Sequence, residues 1–215
     1  MDQGGGESQG ETRTARSDVR ARMVDGAVRL LATAGIEGTS FADVLDATGS
    51  PRGSIYHHFP GGKSELLHAA LDRAGARGLA AMEATRGEPA VVVVERFLSL
   101  WRTLLEWSHL TAGCAVVAVT VAAGDDDLLD HAGSVFRTWT DLLTELCAGS
   151  TGDRVSARRL AVTVIAATEG AVALCRAERS MDPFEDVASV LVSLAETAHA
   201  HPGQQANPER ERSNP

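Results

Sequence analysis

The chain has few of the residues that interrupt helices, and few of those that mark secreted or membrane proteins. None of its seven prolines falls between Pro89 and Pro183, and this gap favours long helices over many short strands. Its three cysteines are widely spaced with no CxxC motif, which indicates reduced core thiols in a cytosolic protein and argues against a disulfide framework or a zinc site.

Long apolar runs are also lacking. The longest, over residues 114–123, is far short of the roughly 20 residues that a membrane span needs. The first eleven residues are polar and acidic, without the apolar stretch of a secretory signal. We therefore expect a cytoplasmic protein with no membrane association.

Positive charge is scarce overall but locally concentrated. The formal net charge is −9, yet residues 13–63 carry a net +2 and residues 64–215 a net −8. A basic head on an acidic body directs that head toward phosphates. A chance fluctuation of local charge is the alternative explanation.

Between two polar ends, the apolar residues follow a helical period, which predicts an all-α fold of about nine helices. We expect a disordered arm over residues 1–16, whose Arg13 and Arg16 either contact phosphates or stay solvated, and a disordered tail over residues 202–215. Helices are predicted at residues 17–34, 41–47, 51–57, 64–85, 89–108, 111–123, 126–148, 153–180 and 183–200.

Several helix ends carry recognisable signals. Ser17 and Ser40 are predicted N-caps, Gly35 ends the first helix, and Ser50 is a predicted cap with Pro51 at the first helical position. The segment 111–123 is ambiguous, because AVVAVTVAA would also suit a buried strand.

Residues 40–59 carry the functional signal. Two short helices joined by Thr48-Gly49 and packed on a longer first helix have the geometry of a helix-turn-helix. Apolar side chains would hold the pair against the first helix, namely Phe41, Val44, Leu45, Ile55 and Phe59. The outward face would then carry groups suited to base edges and phosphates: Arg52, Ser54, Tyr56 and His57. Gly53 would let the helix approach the duplex closely.

The segment TSFADVLDATGSPRGSIYHHFPGGKSELL resembles the DNA-binding module of the TetR family of bacterial repressors. The version PRGSIYHHFPGGK, together with GCAVVAVTVAAGDDDLLDHAGSVF downstream, is similar to the LmrA/YxaF branch of that family. The resemblance implies an amino-terminal three-helix helix-turn-helix domain over residues 17–63. It also implies a larger helical domain for ligand binding and dimerisation over residues 64–201.

Carried over by position, the resemblance implies DNA contacts at defined residues. The third helix would place Arg52, Gly53, Ser54, Tyr56 and His57 in or beside the major groove. Ser40, at a helix start, and Lys63, before the fourth helix, would hold phosphates. The sequence departs from the common pattern at Ser50 and Pro51, and Pro51 has no N–H to donate to DNA.

The second half suits a small-molecule site. Large or soft groups fall on successive predicted helices, and all three tryptophans lie between residues 101 and 139. A mostly apolar cavity between helices is typical of such sites. The candidate ligand residues are Trp101, Leu105, Cys114, Val117, Phe136 and Trp139, with core packing as the alternative for each. Glu169 stands among apolar neighbours, so it serves a polar or cationic ligand, a structural hydrogen bond or a dimer contact.

The last two predicted helices carry wide apolar stripes. One consists of Leu160, Val164, Ala167 and Ala171, and the other of Val187, Val190, Leu191 and Leu194. Such faces need cover, and the resemblance implies that they form a four-helix homodimer interface. The sequence thus predicts a dimeric repressor on a palindromic operator in double-stranded DNA, released by a small, hydrophobic inducer.

One enzymatic alternative follows from the string Asp126-Asp127-x-x-Asp130, which resembles the magnesium-diphosphate motif of all-helical prenyl-diphosphate enzymes. Here the string opens a helix, where acids cap free N–H groups, and no second acidic motif accompanies it. We therefore expect no enzyme activity, no cofactor and no metal site.

Overall fold

The computed structural model describes residues 7–200, with side chains over residues 17–198. This part of the chain is all helical. Its nine helices are α1 (Glu7–Ala34), α2 (Phe41–Thr48), α3 (Arg52–His58), α4 (Gly62–Glu83), α5 (Ala90–Trp107), α6 (Ala115–Ala122), α7 (Asp126–Thr151), α8 (Arg154–Glu178) and α9 (Asp182–Ala200). The all-α prediction is confirmed.

Helices α1–α3 form a head around a small apolar core. Met23, Ala27 and Leu31 of α1 are buried against Val44 of α2 and Ile55 of α3, because each helix presents one apolar face toward the other two. Phe59, which follows α3 and is fully buried, and the first turns of α4 complete this core. The head therefore continues directly into the rest of the molecule through α4.

Helices α4–α9 form a bundle in which α7 packs on both α4 and α8, and α9 packs on α5 and α8. Arg102 of α5 makes two hydrogen bonds of 2.7 Å to Glu185 of α9 and lies over the Phe184 ring. By length and composition α8 could cross a membrane, and 44% of its most apolar window is buried inside the chain. In the bundle it packs against α5, α7 and α9.

Two predicted caps are wrong. Ser17 lies inside α1, whose backbone is helical from Glu7 onward, so it does not begin the helix. Ser50 is buried and accepts a hydrogen bond from the Thr48 hydroxyl, while Pro51 occupies the N-cap of α3. Ser50 therefore ties the turn to α2 instead of capping α3. The segment 111–123 is helical only from Ala115, after a loop in which His109 and Leu110 have positive φ angles.

The predicted apolar stripes are partly satisfied within the chain. Leu160, Val164 and Ala171 of α8 and Leu191 of α9 are buried, so they pack the bundle and cannot form a free face. The expectations for residues 1–16 and 202–215 fall outside the residues whose side chains are described, although the backbone of α1 includes residues 7–16.

Candidate DNA interface and ligand cavity

The turn between α2 and α3 is fixed by local hydrogen bonds and by one glycine. Ser40 and Asp43 form a capping box, in which each side chain bonds the other residue's backbone N–H at 3.2 and 2.8 Å. Gly49 ends α2 with φ of 62°, a left-handed conformation that side chains disfavour. These features set the direction in which α3 leaves the turn.

Helix α3 presents a polar face to solvent. Ile55 is fully buried in the head, whereas Arg52 and His57 are exposed and Tyr56 is 70% exposed. The Tyr56 ring meets the Phe41 ring edge-on at 5.4 Å, which orients the phenol without burying it. The outward placement that the sequence predicted is therefore present.

The rest of this face is flat and small. A side chain at Gly53 would meet nothing within 4 Å, so the surface there is open. The half-buried Ser54 hydroxyl donates to the Pro51 carbonyl at 2.6 Å, which closes the first turn of α3. A duplex could approach α3 closely along this edge.

The two predicted phosphate contacts are already engaged with the protein's own atoms. The Ser40 hydroxyl donates to Asp43 at 2.5 Å, and the Lys63 ammonium donates to the Ile36 carbonyl at 2.7 Å. An ammonium has three donors, so Lys63 keeps capacity for a second partner while it fastens the start of α4 to the α1–α2 loop.

A cavity of about 650 Å³ opens between the head and the bundle. Its walls come from α1, α4, α5, the loop before α6, the start of α6 and one residue of α7. Its aromatic lining comprises Phe97, Trp101, Trp107 and Trp139. Small-molecule sites have this size and mostly apolar character.

The structure brings together only some of the predicted ligand residues. Trp101, Cys114 and Trp139 line the cavity. Leu105, Val117, Phe136 and Glu169 lie outside the lining: Leu105 is fully buried in the core, and Phe136 packs edge-on against Trp139 at 5.8 Å. Trp107, 68% exposed, stands at the cavity rim.

Sequence reasoning missed the two charged residues of the lining, Arg29 and Arg77. Arg29 belongs to α1, which the sequence assigned to DNA binding alone, and Arg77 lies on the polar side of α4. Their proximity depends on how α1 crosses α4, which no local sequence pattern encodes.

The back wall is built by close packing of α7 on α4. The Trp139 indole N–H donates to the Gly75 carbonyl at 3.0 Å. A Cβ at Gly78 would come within 2.9 Å of the same indole. Gly78 therefore lets Trp139 lie flat against α4, because any larger residue would displace it.

Glu169 of α8 lies behind the cavity wall, next to Cys114. Burial raises its pKa from 4.5 to about 7, although a hydrogen bond with the Cys114 thiol acts in the opposite direction. Burial, reinforced by the Glu169 charge, raises the pKa of Cys114 in turn. Glu169 Oε1 and the neighbouring Thr168 hydroxyl are buried without a hydrogen-bond partner among the described residues, a costly arrangement.

Two further contacts tie the head to the bundle beside the cavity. Asp25 of α1 accepts from both Arg73 and Arg77 of α4 at 2.8 Å. Burial alone would raise the pKa of Asp25, but these arginines and the charge of Arg29 outweigh it and lower the pKa. The Gly113 N–H, in the loop before α6, donates to the Ala32 carbonyl of α1 at 2.8 Å.

Comparison with known proteins agrees with this geometry. The family model of the bacterial regulatory proteins, tetR family, matches residues 23–70, and that of the transcriptional regulator LmrA/YxaF-like C-terminal domain matches residues 90–190. An uncharacterized HTH-type transcriptional regulator of Mycobacterium tuberculosis is 35% identical over 184 residues, covering 81% of this chain and 93% of the relative. The chain belongs to the TetR family.

Other TetR-family proteins support the LmrA/YxaF-like assignment and the fold. The HTH-type transcriptional regulator LmrA of Bacillus subtilis is 24% identical over 183 residues, covering 82% of this chain and 96% of the relative. The crystal structure of a TetR transcriptional regulator from Chloroflexus aurantiacus is 28% identical with a TM-score of 0.69, covering 84% of this chain and 95% of that one. The predicted family and branch are confirmed.

As a TetR-family member, the protein is a DNA-binding transcriptional regulator and not an enzyme. The acidic string accordingly has a structural place: the Asp125 carboxylate accepts from the Leu128 N–H at 2.8 Å, and Asp126 and Asp127 occupy the first turn of α7. Within residues 17–198, no cluster of three or more His, Cys, Asp or Glu could hold a metal ion.

The three cysteines of this TetR-family protein are free and buried. Burial raises the pKa of the Cys114, Cys147 and Cys175 thiols, so they stay protonated and unreactive. The predicted core position of the three thiols is confirmed.

Proposed function

We propose that this regulator is a homodimeric repressor that binds a palindromic operator and leaves it when a small apolar molecule fills the cavity. Residues 17–63 serve as the DNA-binding domain and residues 64–201 as the ligand-binding and dimerisation domain. Because its target is chromosomal DNA, the protein works in the cytoplasm. The observation that carries the proposal is a cavity whose wall includes α1 of the DNA-binding head.

The exposed face of α3 supports the DNA contacts. Arg52 can donate two hydrogen bonds to guanine in the major groove, with Tyr56, His57 and Ser54 beside it and Gly53 allowing close approach. Lys63, at the start of α4, can bind a phosphate with its remaining donors, and Ser40, at the start of α2, can do so once its hydroxyl turns away from Asp43. These residues form the proposed DNA-binding surface.

An apolar face on α8 and α9 supports the homodimer. Val162, Ala166, Gly170 and Leu174 recur every four residues along α8 and are all exposed. On α9, Val190 is 59% and Leu194 is 43% exposed. Exposed apolar residues in a continuous row mark an interface, and two copies would form a four-helix contact. A two-fold axis would then place two α3 helices about 34–36 Å apart on the operator.

The cavity supports release by a ligand. Trp101, Trp139 and Cys114 would contact the ligand's apolar body, backed by Leu105, Val117 and Phe136 in the layer behind and by Glu169 beside Cys114. If ligand and DNA favour different orientations of the head, each weakens the other by the same coupling free energy. A hundredfold loss of operator affinity requires about 2.7 kcal/mol of differential ligand binding.

The test is fluorescence anisotropy with a labelled fragment from upstream of the protein's own gene, at low and at physiological salt. We expect specific binding of one dimer per palindrome, and loss of binding when an apolar ligand fills the cavity. Failure to bind any promoter fragment at low salt would refute the DNA-binding part. Ligand binding without any change in operator affinity would refute the release mechanism.

A further inference from the structure

The charged side chains of the cavity lining are all of one sign. Among the described residues of its lining, the charged ones are Arg29 and Arg77, both cationic, and the rest are apolar, aromatic or neutral and polar. A ligand bound here would meet three indole rings and two guanidinium groups, and both of these arginines are also exposed to solvent.

The cations beside the cavity exceed the anion that neutralises them. Arg73 and Arg77 both donate to Asp25, and the charge of Arg29 also acts on this carboxylate. Arg77 lines the cavity, whereas Arg73, one turn earlier on α4, does not. One carboxylate thus serves three arginines, which leaves positive charge on the cavity lining, where Arg29 and Arg77 lie.

We propose that the cavity binds an apolar molecule with an anionic headgroup, a carboxylate or a similar oxyanion, which Arg77 and Arg29 hold in competition with Asp25. Guanidinium groups bind such oxyanions through paired, charge-assisted hydrogen bonds. This inference rests on the proposed function, since it names the chemical class of the inducer.

The same competition would couple the ligand to DNA. Asp25 and Arg29 belong to α1 of the head, and Arg77 belongs to α4. An anion that takes Arg77 from Asp25 removes one of the two arginines that hold α1 to α4, and so it frees the head to turn on the bundle. Binding of the headgroup thereby favours the state in which the head is free to turn relative to the bundle.

A cationic ligand at Glu169 is the competing assignment. Glu169 does not line the cavity, and the Cys114 side chain, its hydrogen-bond partner, does. A cation would have to displace Cys114 and would also face the two arginines. The geometry favours the anion.

The test uses the intrinsic fluorescence of the full-length protein, because all three tryptophans line the cavity. The probes are decanoate, decyl sulfate, decanol and decyltrimethylammonium, each below its micelle concentration. We expect the anionic probes to bind at least about tenfold more tightly than the alcohol or the ammonium, the ratio expected for a charge-assisted hydrogen bond. Decanoate and decyl sulfate distinguish a planar carboxylate site from a tetrahedral oxyanion site.

Arginine variants assign the effect to the cavity. Arg77→Gln should abolish the preference for anions, whereas the matched control Arg73→Gln, which also loses an Asp25 contact, should keep it. Asp25→Asn should raise decanoate affinity about threefold, because Asp25 competes with the ligand for Arg77. The gain is modest because the ion pair of Asp25 and Arg77 is partly exposed. Circular dichroism checks that each variant is folded.

Three results would overturn the inference. Wild-type protein could bind decanol or the ammonium as tightly as decanoate, it could bind no probe, or Arg77→Gln protein could keep the preference for anions. The proposed function fails separately. Decanol that binds as tightly as decanoate and releases the operator would refute the anionic headgroup but leave ligand-controlled repression in place. Anion-selective fluorescence quenching in a protein that does not bind DNA would refute the proposed function but leave the anionic headgroup in place.

Discussion

The Nδ1 atoms of His68 on α4 and His131 on α7 lie 2.9 Å apart. The Nε2 atoms of the two rings face carboxylates, Asp127 at 3.0 Å and Asp72 at 2.8 Å. The four side chains form one hydrogen-bonded row across the two helices. These contacts hold α4, the helix that follows the DNA-binding head, against α7 of the bundle.

We predict that the two imidazoles stabilise the fold as a unit. A double-mutant cycle with His68→Ala and His131→Ala should give a coupling of about 1 kcal/mol in the free energy of unfolding, because their hydrogen bond is partly buried. Urea unfolding at fixed protein concentration measures it. The exposed ion pair of Arg158 and Asp141 is the matched control and should give under about 0.5 kcal/mol. Equal couplings would contradict the prediction.

Glu169 should make stability depend on pH. Its pKa in the folded protein is about 7, raised by burial from 4.5, so between these values the folded state holds a proton that the unfolded chain has lost. Stability should therefore fall as pH rises from about 4.5 to 7 and level off above, by about 3 kcal/mol in all.

Glu169→Gln provides the comparison, because its neutral amide does not titrate. The stability of Glu169→Gln relative to wild type should be greater at pH 8 than at pH 5. Urea unfolding of both proteins at both pH values measures this difference. Exposed Glu88→Gln is the control and should keep the wild-type pH dependence. Parallel curves for wild type and Glu169→Gln would show that the carboxyl is not held in its neutral form.

Arg52 should carry operator specificity. Arg52→Ala should cost about 1–3 kcal/mol of operator binding if the guanidinium reads guanine with two hydrogen bonds, and it should relax discrimination at that base pair. Fluorescence anisotropy with single-base operator variants measures both. Stability should be unchanged because the side chain is exposed. The control is Arg96→Ala on α5, and an equal loss in both variants would point to a nonspecific effect of charge.

Leu174→Glu should break the dimer. Leu174 is 49% exposed at one end of the apolar row on α8, and two-fold symmetry would place two new carboxylates in one interface. Light scattering should then report a monomer, with a large loss of operator affinity. Val121→Glu on α6, at a site 78% exposed, adds the same charge elsewhere. A Leu174→Glu protein that remains dimeric would place the interface on another surface.

Much of the fold could be read from the sequence because its signals are local. The capping box at Ser40, the left-handed turn at Gly49 and the buried Ile55 followed by exposed Tyr56 all follow from neighbours along one short segment. The sequence prediction was wrong where one side chain had two chemically equivalent hydrogen-bonding roles. Ser50 could cap α3 or bond to Thr48, and only the packed turn selects the second.

The apolar stripes of α8 and α9 show a similar limit. Leu160 and Val162 are both apolar, and the sequence could not tell which one faces the bundle. In the structure Leu160 is buried and Val162 is 46% exposed. The choice depends on how α8 is rotated between α7 and α9, which is settled by the packing of all three helices.

By itself the sequence determined the helical class, the helix-turn-helix and its outward polar face, since these depend on periods and caps within a few residues. The tertiary structure decided the cavity and its charge. Arg29 and Arg77 lie 48 positions apart in the sequence, and they share a wall only because α1 crosses α4. A helix period states which side chains share a face, but the crossing of two helices decides which faces meet.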